Sequence, residues 1–255
     1  MKMQSILSGY VLHKRPYRET SMLVDFFSLE QGLIRTIVKG VRGNSKSDRK
    51  SLLQSFQKVE FTLAGRGQLK NLGRIESLNL RSNLIGNQLY CGMYINEVLS
   101  RCLPEAEPVS EIFDDYEQSL LSLSQVSTTQ LSDIEPILRI FELNMLQTLG
   151  YLPDFSVEAN TGEPILPELF YTFDAQSGFH LSHANAAMPY TGKVILDIAD
   201  GKMSRDSTVV DRVDEQKASV DELILRRAAK QICRQAMRQL LGQKPLKSRE
   251  LFIQG

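Results

Sequence analysis

The sequence has few of the features that mark secreted, membrane-spanning or disulfide-bonded proteins. Only three of its 255 residues are cysteines, and Cys91, Cys102 and Cys233 show no CxxC spacing. Isolated cysteines in helical patterns are typical of buried thiols in a reducing compartment. No apolar run approaches the ~18 residues of a membrane-spanning helix, and the first residues lack the apolar core of a signal peptide. We therefore expect a soluble cytoplasmic protein.

Motifs for common enzyme chemistry are also absent from the sequence. The chain has no P-loop, no HExxH and no nucleophile elbow, and Gly65-Arg66-Gly67 is too short for a dinucleotide-binding fingerprint. No spacing singles out two carboxylates for general acid and base catalysis. These absences predict that the protein is not an ATPase or a hydrolase, and we expect no cofactor.

The formal net charge is zero, but charge of each sign is concentrated in separate segments. Residues 1–81 contain 15 Lys and Arg against 6 Asp and Glu, whereas residues 82–160 contain 2 against 12. Residues 224–255 are basic again, with 8 against 1. Basic surfaces attract polyanions, so both ends of the chain are candidates for nucleic-acid binding, and the acidic middle requires another role.

The first eighty residues predict a small β-barrel. Short runs rich in β-branched and aromatic residues alternate with turn residues, and Val59 and Phe61 alternate with Lys58 and Glu60 as in a sheet with one buried face. Five short strands suit a closed barrel, because closure removes exposed edges. We expect an OB-type barrel, with an SH3-like barrel as the alternative. The predicted strands are 5–13, 20–28, 32–42, 55–65 and 69–80.

From residue 83 the apolar spacing becomes helical. The first predicted helix ends before Pro104, the second covers 109–123, and the third covers 134–149 with Gly150 as its stop. Beyond it the chain is irregular, with 170–173 as its strand-like run, until a long helix at 219–241.

These elements predict an α+β fold of several domains. The expected divisions are an OB-fold barrel at 1–81, a helical domain at 82–151 on which the helix of 218–242 packs, an irregular region at 152–217, and a basic helix with its tail at 218–255.

Two basic segments of the barrel are candidates for DNA contact. The loop at 43–50 places several cations on a flexible segment, and the counterions that they release from phosphates drive sequence-independent binding; the alternative is a solubilising loop. The segment at 13–18 interleaves cations with Tyr17, an arrangement used for single strands, although the ring could instead cap the barrel core. The candidate contacts are Arg15, Tyr17, Arg18, Arg35, Lys39, Arg42, Lys46, Arg49, Lys50 and Arg66.

The helix predicted at 219–241 carries a second row of cations, opposite its apolar positions. Exposed helix faces usually carry both signs of charge, so a row of one sign is informative. The row predicts a second polyanion-binding surface, with contact to the acidic middle of the chain as the alternative. It consists of Arg227, Lys230, Arg234 and Arg238, and is continued by Lys244, Lys247 and Arg249.

Arg101 and Arg139 are the only basic residues between positions 82 and 160. Arg139 adjoins Phe141 on an apolar helix face, where it could bind a peptide carboxylate beside an apolar groove. From the residues alone, the favoured alternative is an internal ion pair. Its candidate partners are Glu142, Glu135 and Glu97.

His180 and His183 have HxxH spacing, and Glu158 could add a third ligand. A metal site needs three or four ligands with supporting hydrogen bonds, and no cysteine lies nearby. We therefore predict no metal site, with a metal bound by His180 and His183 as the alternative.

Taken together, several runs resemble the RecO family of bacterial recombination mediators. They follow the expected order along nearly the whole chain: VLH at 11–13, RPYRETS at 15–21, VKG at 38–40, GRG at 65–67, YINEVL at 94–99, LRIFEL at 138–143, LGY at 149–151 and GQKPLKSRELF at 242–252. The resemblance implies an OB barrel, a helical domain and a third region that in some relatives holds a four-cysteine zinc site. Here Glu158 and Thr161 stand where those relatives have cysteines, so we expect a zinc-free region.

The resemblance also implies a function without a catalytic residue. Relatives bind single- and double-stranded DNA, anneal complementary strands, bind the acidic C-terminal tail of single-strand-binding protein, and act with RecR to load RecA in DNA repair, close to the nucleoid. It makes Arg139, with Phe141 and Arg101, the preferred tail-binding residues. The residues alone leave three alternatives: an RNA-binding or ribosome-associated OB-fold protein, a metal-dependent nucleic-acid enzyme, and a protein–protein adaptor.

Overall fold

A computed structural model of the chain describes residues 5–42, 49–65, 67, 69–126, 131–203 and 220–252. Contacts divide the chain into two compact units: Met1–Ile134 together with Lys244–Gly255, and Glu135–Gln243. Among the described residues, no helix is both long and apolar enough to cross a bilayer.

The first unit contains a closed five-stranded barrel. Its strands follow the order β1-β2-β3-β5-β4, and β4 pairs with β1 to complete the closure. All neighbours are antiparallel except β3 and β5. This Greek-key closure is that of an OB-type barrel, so the predicted fold class is confirmed. The strands are β1 (Ile6–Tyr17), β2 (Ser21–Ser28), β3 (Gly32–Val38), β4 (Gln57–Ala64) and β5 (Lys70–Arg81).

Alternating side chains fill the barrel, as the pattern of β4 predicted. Val59 and Phe61 are buried, whereas Lys58 and Glu60 are partly exposed. Phe61 stacks on Phe26 of β2 with 4.5 Å between ring centroids. Each buried aromatic or branched side chain contributes roughly 2 kcal/mol through apolar burial, so this interior stabilises the closed form.

A segment beyond the barrel covers the part of β3 that β5 leaves open. β5 pairs with β3 only near Thr36, while the amide of Ala106 donates to the Leu33 carbonyl at 2.9 Å. Gly32 makes this approach possible, because a Cβ there would lie 1.8 Å from the Glu107 carbonyl oxygen. The open edge of the barrel is therefore paired within the unit.

Among the described residues, the first unit also contains α1 (Arg49–Leu52), α2 (Gly86–Cys102), α3 (Ser110–Gln125) and a C-terminal 3₁₀ helix (Lys247–Phe252). A buried hydrogen-bond chain ties α2 and α3 to the barrel. The Tyr116 hydroxyl of α3 donates to Asn96 Oδ1 of α2 at 2.8 Å, and Asn96 Nδ2 donates to the Leu12 carbonyl of β1 at 2.9 Å.

Helix α4 (Leu131–Thr148) leads into the second unit. This unit contains a three-stranded antiparallel sheet of β6 (Phe170–Asp174), β7 (Gly178–Ser182) and β8 (Tyr190–Thr191), followed by α5 (Gly192–Ala199) and α6 (Val220–Leu241).

One apolar cluster joins these elements. Ala229 and Ile232 of α6 share it with Phe179 of β7, and Ile140 of α4 packs against it. The contacts thus place α2 and α3 with the barrel and most of α4 with α6, whereas the sequence grouped α2, α3 and α4 together at 82–151. The domain boundaries drawn from the sequence stay a prediction.

Candidate nucleic-acid interface

Cations gather at the end of the barrel where β1 turns into β2. Arg18 lies in that turn with φ of 51°, and its guanidinium carbon sits 5.2 Å from the centre of the Tyr17 ring. Arg18 is exposed and Tyr17 is half-buried. An exposed guanidinium beside a half-buried ring provides a phosphate contact together with a flat surface for a base.

The turn after β3 is bonded to this same end. Arg42 Nη1 donates to the Arg18 carbonyl at 2.6 Å, and the amides of Val41 and Arg42 both donate to the Thr20 carbonyl. Lys39, in the same turn, is exposed. We call Arg18, Lys39 and Arg42 the barrel-end cluster, because the structure brings these three exposed cations together from two turns.

Arg35 differs from the other predicted DNA contacts of the barrel. Its Nε lies 2.9 Å from the buried Asp25 carboxylate, and its Nη1 lies 2.7 Å from Glu105. Two carboxylates therefore neutralise this cation inside the unit. Arg49 and Lys50 are exposed on α1, while Lys46 and Arg66 lie outside the described residues.

Helix α6 presents a row of cations in the second unit. Arg227, Arg234 and Arg238 are exposed, whereas Lys230 is half-buried and its Nζ lies 2.5 Å from Glu135. Pairing with a carboxylate reduces what Lys230 can contribute to phosphate binding, so the row offers three exposed cations.

The C-terminal segment (residues 244–252) is held on α2, within the first unit. Arg101 donates to the Lys244 carbonyl at 2.6 Å and to the Pro245 carbonyl at 3.0 Å. Glu97 accepts the backbone amides of Lys247 at 2.9 Å and Ser248 at 2.8 Å. The structure therefore places Lys247 in the unit of the barrel, whereas the sequence had joined it to the cation row of α6.

The contact with the C-terminal segment lowers the pKa of Glu97. Burial on its own would raise the pKa of Glu97, but hydrogen bonds from Ser248 and from the amide of Lys247, with the charge of Arg101, lower it below its ordinary value. Glu97 therefore stays ionised and caps the first amides of the 3₁₀ helix.

A groove of about 620 Å³ lies between β1, α2 and the C-terminal segment. We call it the β1–α2 groove. Leu12, Met93 and Leu251 contribute its apolar surface, and Arg15 and Lys247 contribute exposed cations. The sequence gives no sign of this site, because Arg15 and Lys247 are 232 positions apart and no local pattern brings them to one groove.

Arg139 is buried, with 5% of its surface exposed. Its Nη1 lies 2.7 Å from Glu142 Oε2, one helical turn away. Phe141 is also buried, at 1% exposure. The sequence left open a peptide-carboxylate site and an internal ion pair for Arg139, and the structure contains the internal ion pair. Close to that pair, burial and the Glu142 carboxylate raise the pKa of the Cys233 thiol well above its ordinary value.

The loop around Glu158 is closed by hydrogen bonds. Its Oε2 accepts the Thr161 amide at 2.7 Å and the Thr161 hydroxyl at 3.0 Å, and its Oε1 accepts the Leu181 amide at 3.2 Å. His180 Nδ1 lies 3.8 Å from the same carboxylate, and His180 Nε2 meets the Ser177 hydroxyl at 2.7 Å. His183 is exposed. Over the described ranges, no three His, Cys, Asp or Glu side chains are grouped as metal ligands.

Two family models match this sequence, and together they cover both units of the structure. Residues 1–81 match the family model described as Recombination protein O N terminal, and residues 86–250 match the model described as Recombination protein O C terminal. The two models together span almost the whole chain.

Curated relatives carry the name DNA repair protein RecO. The protein of Pseudoalteromonas atlantica is 43% identical over 97% of this chain and 94% of its own length. The protein of Alteromonas mediterranea is 39% identical over 97% and 96%, and that of Vibrio parahaemolyticus is 37% identical over 96% and 91%. The similarity therefore extends over nearly all of this chain and nearly all of each relative.

Proposed function

Since the chain belongs to the RecO family, we propose that it is a DNA repair protein that binds single- and double-stranded DNA and anneals complementary strands. The observation that carries the proposal is the barrel-end cluster, where Arg18, Lys39 and Arg42 are exposed beside Tyr17. OB-fold barrels bind oligonucleotides on strands 2 and 3 and on the loops at this end. The function needs no catalytic residue and no cofactor.

The proposed mechanism is electrostatic. Cations bound to phosphates release condensed counterions, which favours binding whatever the sequence. The barrel-end cluster contacts one strand, and the exposed row of Arg227, Arg234 and Arg238 on α6 contacts another. Two backbones that are partly neutralised repel each other less, so complementary strands meet more often.

Protein partners form the second part of the proposal. The acidic C-terminal tail of single-strand-binding protein directs the chain to coated strands, and RecR acts with it to load RecA near the nucleoid. The proposed tail-binding residues are Arg139, Phe141 and Arg101. Because Arg139 is paired with Glu142 and Arg101 holds two backbone carbonyls, binding there requires each arginine to exchange an internal partner for a peptide carboxylate.

A salt titration of the full-length protein tests the DNA-binding proposal. Affinity for a fluorescent single strand and for a duplex should fall by roughly 10³ to 10⁵ between about 50 and 200 mM salt if six to ten phosphates are contacted, and annealing should fall with it. Binding that does not change over this range would contradict the electrostatic mechanism.

Charge reversal at the barrel end provides the residue-level test. The double variant Lys39→Glu and Arg42→Glu should weaken binding to all DNA sequences alike. Arg74→Glu is the matched control, because Arg74 is an exposed barrel cation already paired with Glu76. A sequence-dependent loss would contradict the proposal, and preference for RNA over matched single-stranded DNA in competition would favour an RNA-binding protein instead.

A further inference from the structure

We infer that the β1–α2 groove takes one unstacked nucleotide of single-stranded DNA, with the phosphate between Arg15 and Lys247 and the base against Met93 and Leu251. The inference rests on the proposed DNA binding. It goes further by assigning the place where the protein distinguishes a single strand from a duplex.

The groove has the size and the apolar surface that a base requires. Its volume of about 620 Å³ lies within the range of small-molecule sites. Met93 on α2 is 43% exposed, which is unusual for a methionine on a packed helix, and Leu12 forms a buried floor. A thioether makes favourable contacts with aromatic rings, so a base covers Met93 with more gain than water does.

The charges of the groove favour a phosphate. Arg15 and Lys247 are exposed, and neither side chain has an ion-pair partner among the residues that the structure describes. Two of the carboxylates that line the groove are already engaged, since Asp25 pairs with Arg35 and Glu97 accepts two backbone amides. The unengaged charges of the lining are therefore two cations, Arg15 and Lys247, against one carboxylate, Glu250, which leaves the groove net positive.

Polar groups inside the groove suit the edge of a base. Ser100 lines the groove with a buried hydroxyl oxygen that has no hydrogen-bond partner within the described ranges. Such an orphan group is costly unless a ligand or water satisfies it. Glu250 is the remaining carboxylate of the lining and accepts hydrogen bonds from ring and amino N–H groups. An acidic peptide would instead bring its own carboxylates toward Asp25, Glu97 and Glu250.

The groove is complete only when the C-terminal segment is in place. Arg101 fixes the carbonyls of Lys244 and Pro245, and Glu97 fixes the amide of Lys247, so Lys247 reaches the groove because of two α2 side chains. Residues from opposite ends of the sequence thus form one nucleotide site. A base inside a duplex is stacked on both faces and cannot enter it, which gives the selectivity.

Variants of the full-length protein test the inference with two probes, a short fluorescent oligothymidylate and a hairpin duplex. Arg15→Ser and Lys247→Ser should each lower single-strand affinity about fivefold at ~0.1 M salt and reduce the salt slope by ~0.7. Met93→Ser should lower single-strand affinity about two- to tenfold and leave duplex affinity unchanged. Leu121→Ser on α3 is the matched apolar control, and Lys193→Ser in the second unit is the matched charge control.

The outcomes separate failure of the inference from failure of the proposed function. Wild-type protein that binds neither probe at low salt overturns the proposed DNA binding. Wild-type binding that Met93→Ser leaves unchanged, or reduces equally for both probes, overturns the nucleotide groove alone. The third probe is an acidic peptide with a C-terminal carboxylate. If it binds wild type, and if Met93→Ser and Lys247→Ser both abolish its binding while oligothymidylate binding persists, the groove binds a peptide. That result also overturns the inference.

Discussion

Arg139 and Glu142 form an ion pair on α4, with 2.7 Å between Nη1 and Oε2, and both side chains are almost completely buried. A buried pair is weak support for stability as a whole, because each ion loses its hydration. Removal of one partner is different, since it leaves the other charge buried and uncompensated. The pair therefore determines how any variant of Arg139 has to be interpreted.

Arg139→Ala should destabilise the protein by about 3–5 kcal/mol, because Glu142 stays buried without its cation. The double variant Arg139→Met and Glu142→Leu should lose much less, since it replaces the pair with apolar groups of similar volume. Urea unfolding followed by circular dichroism measures both. Equal losses in the single and double variants would contradict the coupling.

The same double variant gives a clean test of tail binding. A fluorescent peptide of the single-strand-binding protein tail should bind wild type, and binding should be lost in the folded double variant if Arg139 supplies the carboxylate contact. Retained affinity would place the peptide elsewhere on the chain. Arg139→Ala alone cannot make this distinction, because unfolding also abolishes binding.

Arg35 and Lys39 should respond to substitution in opposite ways. Arg35→Ser leaves the buried Asp25 without its cation, so stability should fall by about 1–3 kcal/mol while the salt slope of DNA binding stays unchanged. Lys39→Ser should lower the duplex salt slope by ~0.9 and shift stability by less than ~0.5 kcal/mol. Denaturant unfolding and fluorescence anisotropy, run on both variants, check the assignment. A lower salt slope in Arg35→Ser would return Arg35 to the DNA contacts.

The contrast between these residues shows what a sequence can predict about a charged site. The charge count correctly marked the barrel as basic, but it could not say which cations are exposed. Arg35 is neutralised by Glu105, seventy positions away, and Glu97 caps Ser248, 151 positions away. Such pairs depend on the closed barrel and the docked C-terminal segment, and no local pattern encodes them.

Regular elements were predicted where burial is periodic. The five barrel strands were predicted from short runs of β-branched and aromatic residues, and the four long helices from helical spacing. Helix α2 ends just before Pro104 as expected. The elements that were not predicted include β7, β8, α5 and the short helix α1, which begins within the loop predicted at 43–50. β7 is five residues long with two buried positions at its start, and α5 is an eight-residue helix, so neither is long enough to show a period.

The Glu158 loop should lose stability in acid. Burial would raise the pKa of Glu158, but hydrogen bonds from Thr161, Leu181 and Asn160 lower it below the ordinary value. Because the pKa of Glu158 is lower in the folded form than in the unfolded form, ionised Glu158 stabilises the folded form at pH values above the unfolded pKa. This contribution disappears as the pH falls through the folded pKa. Glu158→Gln should therefore weaken the acid dependence of unfolding. Thermal melts across the acidic pH range measure this dependence, and Glu168→Gln is the control because Glu168 is exposed. An unchanged pH profile in Glu158→Gln would contradict the prediction.

The C-terminal segment should detach from α2 by the same physical rule. The pKa of Glu97 is lowered by its bonds to Ser248 and Lys247, so the contact is strongest when Glu97 is ionised and is lost as the pH falls through the folded pKa. Glu97→Gln should mimic this loss at neutral pH, because a neutral amide attracts two N–H donors and the Arg101 guanidinium less than a carboxylate does.

Hydrogen exchange at the amides of Lys247 and Ser248 measures that detachment directly. Both amides should exchange faster in Glu97→Gln than in wild type, and faster in wild type as the pH is lowered, after correction for the intrinsic rate. Exchange at Tyr116 and Asn96, in the buried core of the same unit, should stay slow and serves as the internal control. If Glu97→Gln exchanges at the wild-type rate, the segment is held by Arg101 and apolar packing alone. Faster exchange together with weaker single-strand binding would instead show that this carboxylate, which touches no DNA, controls the position of Lys247.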